Sequence, residues 1–78
     1  MKGSVTMANE LKIDTEYITL GQFLKMTDFV SSGGMAKWFL KENEVLVNGD
    51  YENRRGRKLR NGDCIDINGD SFIIIQSS

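Results

Sequence analysis

Histidine and proline are both absent from this chain of 78 residues, and Cys64 is its one cysteine. Without histidine an ordinary zinc site is excluded, since the usual ligand sets draw on several Cys or His side chains. The same absence removes the commonest general base and every Ser-His or Cys-His nucleophile pair. A single cysteine permits no intrachain disulfide. Within Cys64-Ile65-Asp66-Ile67 it has acidic neighbours that disfavour a reactive thiolate, so it reads as structural. With no proline, glycine and asparagine must supply the chain reversals. No apolar run approaches the roughly 20 residues of a membrane-spanning helix. The longest near the end, Phe72-Ile73-Ile74-Ile75, suits a buried strand. Met1 to Thr6 has one basic residue and no apolar segment behind it, so the sequence predicts no signal peptide and a cytoplasmic protein.

Net charge is −1, from ten basic and eleven acidic residues. An acidic chain is an unpromising partner for a polyanion, but the charge is uneven. The stretch Arg54-Arg55-Gly56-Arg57-Lys58-Leu59-Arg60 carries five cations in seven positions. A local patch attracts phosphates regardless of the total, because charges beyond about 8–10 Å are screened at physiological salt.

Hydrophobic periodicity divides the chain in two. The first nine residues show no pattern and are expected to fray. Leu11-Lys12-Ile13 reads as a short edge strand. Thr19 with Gln22 three residues on forms a capping-box signature, and Leu20, Phe23, Leu24 and Thr27 continue it as a helical stripe to about Val30. Ser31-Ser32-Gly33-Gly34 then interrupts. Either serine can cap a second helix over Met35 to Asn43, with Ala36, Phe39 and Leu40 as its apolar face and Lys37 and Lys41 together on another. From Glu44 the period becomes two. Asn48-Gly49 is the strongest hairpin signal, and Asn61-Gly62 and Asn68-Gly69 repeat its chemistry between strand-like segments. The fold class is therefore α+β, with two short helices packed on a small antiparallel sheet of three to five strands.

Two places carry candidate chemistry. Clustered guanidinium groups at Arg54, Arg55, Arg57 and Arg60, with Lys58, suit phosphate contact, and the bland alternative is a solvated loop. The turn Ser32-Gly33-Gly34 would present free N–H groups at a helix start, where a phosphate can approach closely; its bland alternative is a plain capped turn. Lys37 and Lys41 extend that surface, and Lys25 on the first helix is a weaker addition. Trp38 either completes the core or offers a ring for stacking on an unpaired base. Core or sheet packing is favoured for Tyr51. Asp63, Asp66 and Asp70 fall in turns and on an outer strand face without a nucleophilic or basic partner, so neither a metal nor a hydrolytic role is expected. There is no nucleotide-binding loop motif.

The ordered set of these pieces resembles the S4-type RNA-binding domain. Its helix, Ser-rich turn and second helix stand here as Leu20 to Val30, Ser31-Ser32 and Ala36 to Asn43. Its hairpin, basic stretch and closing motif stand as Val45-Leu46-Val47-Asn48-Gly49, Arg54 to Arg60 and Gly62-Asp63-Cys64-Ile65-Asp66-Ile67. Gly33-Gly34-Met35-Ala36-Lys37 and Arg54-Arg55-Gly56-Arg57-Lys58-Leu59 are most similar to the short stand-alone bacterial S4-domain proteins of the YaaA and YbcJ kind. Gly33 stands where many S4 domains carry an arginine, leaving backbone N–H groups as the substitute. The resemblance implies an alpha-L motif, with residues 10–78 as a single S4-like RNA-binding domain behind a flexible segment of residues 1–9. It implies a monomeric RNA-binding module that recognises structured RNA, plausibly ribosomal RNA, through phosphates and shape. No catalytic residue, metal, cofactor, small-molecule substrate or membrane is expected. The competing reading is a protein-interaction module whose basic loop docks an acidic partner.

Overall fold

The computed structural model describes residues 9–77. The expected fraying of the N-terminal segment concerns residues that, apart from Asn9, lie outside the described ones. Strand β1 (Asn9–Ile13) is followed by β2 (Tyr17–Thr19), α1 (Leu20–Met26) and α2 (Gly33–Glu42). Then come β3 (Val45–Val47), β4 (Asp50–Tyr51), β5 (Lys58–Arg60), β6 (Cys64–Ile67) and β7 (Asp70–Gln76). One sheet runs in the order β1-β7-β6-β3-β4, and β2 pairs with β5 in a separate two-stranded ribbon.

The chain is α+β as expected, and the sheet is antiparallel except at one edge. There β1 lies parallel to β7, with Leu11 opposite Ile74. A parallel pair needs a long crossover, and here everything between β1 and β7 supplies it.

Helix α1 begins where the sequence places it. The Gln22 N–H donates to Thr19 Oγ1 at 3.2 Å, and the Thr19 N–H donates to Gln22 Oε1 at 2.8 Å. It stops at Met26, a turn earlier than the apolar stripe suggests. Asp28 takes a left-handed conformation (φ 63°). Its N–H donates to the Lys25 carbonyl, and that of Phe29 to the Leu24 carbonyl. These two bonds form a Schellman termination with aspartate where glycine is usual.

In α2, Ala36 and Leu40 are buried and Phe39 partly so, which turns the expected apolar face inward. They meet Leu20, Phe23 and Leu24 of α1 in one core with Val45, Val47, Ile65, Ile67 and Ile74 of the sheet. Phe72 links the layers, edge-on to Phe23 at 5.3 Å and to Phe29 at 5.9 Å between ring centroids. Within the run 72–75 only Ile74 is fully buried; Phe72 shares its inward face and is partly covered, while Ile73 and Ile75 alternate to the other face and are half-buried. Both two-residue hairpin turns form as read. Asn48 and Gly49 join β3 to β4, and Asn68 and Gly69 join β6 to β7, all four at positive φ.

Candidate nucleic-acid interface

The basic run does not form one uniform patch. It runs beside the start of α1: the Gly21 N–H donates to the Arg55 carbonyl and the Leu20 N–H to the Arg57 carbonyl, both at 2.8 Å. The pairing continues as β2–β5, with Thr19 opposite Lys58 and Tyr17 opposite Arg60. Leu59 points into the core, which sends Lys58 and Arg60 outward.

Three different environments result. Arg54 and Arg57 are turned onto Glu52, a carboxylate only 8% exposed. Arg54 reaches it through Nε at 2.9 Å and Nη2 at 3.1 Å, and Arg57 through Nη1 at 2.8 Å. The hydrogen bond from the Arg54 side chain is the main reason the Glu52 carboxyl falls from its ordinary 4.5 to about 2, with burial opposing and Arg57 assisting. Arg55 turns the other way. Its Nη1 donates to the Gly33 carbonyl in the first turn of α2 at 3.2 Å. Lys58 Nζ and Arg60 Cζ lie 5.0 and 5.5 Å from the centroid of the Tyr17 ring, within cation–π range.

The Arg55–Gly33 bond joins the loop to the Ser32-Gly33-Gly34 turn. Ser32 occupies the cap position of α2, yet its hydroxyl makes no capping bond, and all three turn residues are exposed. The first N–H groups of α2 therefore keep no side-chain partner from the cap. Gln22, Lys25, Gly33, Arg55 and Gly56 line an open concavity of about 360 Å³ beside this turn. Lys37 and Lys41, one and two turns further along α2, are exposed on its outer side. What the structure brings together is thus Arg55, Lys25 and Gly33; Lys58 and Arg60 gather at Tyr17 on the ribbon, and Lys37 and Lys41 lie exposed along α2. Arg54 and Arg57 are drawn aside to the carboxylate.

Sequence reasoning missed Glu52, which belongs to no motif and lies two residues from Arg54 in an irregular segment. It also missed Tyr17, whose cations arrive from a strand some forty positions on. Tyr51 is not packed in the core or against the sheet: it is 73% exposed, because β4 is a two-residue edge strand whose outer face nothing covers among the described residues. Two of the three acids noted in the sequence have structural work. Asp63 accepts from Asn48 Nδ2 and from the Arg60 backbone N–H, and Asp66 accepts from the Ser71 hydroxyl. Cys64 is exposed. No helix among the described residues is long and apolar enough to cross a membrane.

Two helices entered through a capped turn and a glycine turn, a following hairpin and a cation-bearing ribbon define a domain of the S4 class. A family model described as the S4 domain matches residues 11–75, and the chain belongs to that family. It is also similar to the probable ribosome maturation protein RlbA of Bacillus subtilis (strain 168). The two are 67% identical over 63 residues, which covers 81% of this chain and 89% of that protein.

Proposed function

We propose that this protein is a non-enzymatic RNA-binding factor that recognises structured ribosomal RNA during ribosome maturation in the cytoplasm. The observation that carries the reading is the bond from Arg55 to Gly33, which sets a guanidinium beside the glycine-rich start of α2. A phosphate approaching there meets a fixed cation, Lys25 and backbone N–H groups at the positive end of a ten-residue helix. Lys58, Arg60, Lys37 and Lys41 extend the contact to neighbouring phosphates, and Ser32 and Gly34 allow close approach. Such a surface reads backbone spacing and shape, with little capacity for base edges. Arg54 and Arg57 serve mainly to hold the loop. Support for the ribosomal target comes from the relative whose name is that of a ribosome maturation protein.

Fluorescence anisotropy of labelled ribosomal RNA fragments tests the proposal. Expected is salt-dependent binding that unlabelled structured RNA displaces and an acidic protein does not. Affinity unaffected by Arg55→Ala combined with Lys58→Ala would sink it.

A further inference from the structure

The one tryptophan of the chain, Trp38, is 61% exposed on α2, although a core lies on the other side of the same helix. An indole left in water forfeits one of the largest burial gains available to a side chain. Its surroundings are uneven: Phe29, Met35, Phe39 and Glu42 share a shallow concavity of about 340 Å³ with it on one flank, while two lysines stand on the other. Gly34, Lys37, Trp38 and Lys41 recur at the helical spacing and share the outer face. Lys41 Nζ lies 5.5 Å from the ring centroid. The helical rise of about 1.5 Å per residue sets Trp38 about 6 Å beyond Gly34 along the axis, a distance on the scale of one nucleotide.

We propose that Trp38 is a stacking platform for an unpaired base of the bound RNA, adjacent to the phosphate held at the glycine turn. This deepens the function proposed above and rests on it. Aromatic rings accept bases of any identity because every base has a π-face, and cations beside the ring track the backbone. A protein partner suits the same ring less well. Lysine is depleted at protein–protein interfaces, whereas here two lysines share the indole's face. The platform gives the domain a preference among RNAs that phosphate contacts alone do not: a bulge or loop beside a helical stem over an uninterrupted duplex.

The sole tryptophan is its own probe. The full chain would be titrated with a short RNA hairpin carrying an adenine loop and, separately, with the same stem as a blunt duplex. Expected are strong quenching of indole fluorescence by the hairpin and little by the duplex. Trp38→Ala should weaken hairpin binding about tenfold while changing duplex binding less than twofold, and Trp38→Phe should restore most of the loss. Exposure of the ring predicts that both variants melt as the parent does. Hairpin binding unchanged in Trp38→Ala overturns the platform but leaves the phosphate surface standing, as would equal losses for both RNAs. Absence of binding to either RNA by the parent protein overturns both.

Discussion

Arg54 donates to both carboxylate oxygens of Glu52, from Nε at 2.9 Å and from Nη2 at 3.1 Å, and its own backbone N–H adds a third bond at 3.1 Å. The carboxylate is buried while the Arg54 side chain remains 72% exposed. The pair is therefore a buried anion held under a solvent-facing cation. It converts an irregular, glycine-containing loop into a defined one, because Arg57 grips the same carboxylate from the far side of Gly56. Two of the five cations of the run are spent on shape, and the remaining three face solvent in known places.

Replacing Glu52 by Gln should cost about 1.5–3 kcal/mol, the usual worth of hydrogen bonds to a charged group. The cost should depend on pH in a definite direction. The carboxyl titrates near 2 when folded, against an ordinary 4.5. Its depressed pKa thus contributes stability in full above about 4.5, and that contribution is lost as pH falls toward 2. Thermal melts of parent and Glu52→Gln should differ most near neutral pH and converge near pH 2. A constant gap across that window would show that the charge is not what stabilises the loop.

The division of the basic run predicts two classes of alanine variant. Arg54→Ala and Arg57→Ala should lower the melting temperature by leaving Glu52 short of donors. Arg55→Ala, Lys58→Ala and Arg60→Ala should leave it nearly unchanged. In RNA titrations the second class should reduce the slope of log K against log salt by about 0.7–0.9 for each phosphate contact removed. Equal melting temperatures across all five variants, or equal slopes, would erase the distinction.

What was legible in the sequence followed from local chemistry. The Thr19–Gln22 capping box and the Asn-Gly turns at 48–49 and 68–69 are decided by residues within four positions of one another, and all form. The inward face of α2 follows from its spacing. Arg55 against Gly33, Tyr17 under Lys58 and Arg60, and β1 beside β7 depend on partners far apart in the chain, which no local pattern encodes. The division within the basic run is not legible for a different reason. Five cations in sequence look equivalent, and only the position of one buried acid separates them. The end of α1 was overrun because Phe29 and Val30 continue the apolar stripe, while aspartate at 28 gives none of the signal that a glycine would.

Asp28 itself is a site where stability can be gained. A left-handed backbone costs a residue with a Cβ about 1–2 kcal/mol relative to glycine. A negative charge at the C-terminal end of α1 also opposes the helix dipole. Asp28→Gly should raise the melting temperature by a few degrees after its larger unfolded-state entropy is counted. Asp28→Asn, which keeps the Cβ and removes the charge, should gain less. A loss in both variants would mean that the Schellman termination is not under strain at this position.

Tyr17 offers a last, separable prediction. It stands under two of the free cations, and an exposed cation–π contact is worth about 0.5–1 kcal/mol. The ring is thus a positioning residue for Lys58 and Arg60. Tyr17→Leu should release both side chains and weaken RNA binding by about threefold to fivefold, on the scale of that contact energy. Tyr17→Phe keeps the ring and should bind as the parent does. In a variant already carrying Lys58→Ala and Arg60→Ala, Tyr17→Leu should have no further effect on affinity, since the ring then has nothing to orient. An undiminished Tyr17→Leu effect in that background would show that the tyrosine acts on the RNA directly or through the fold, and melting curves of the same variants would separate the two.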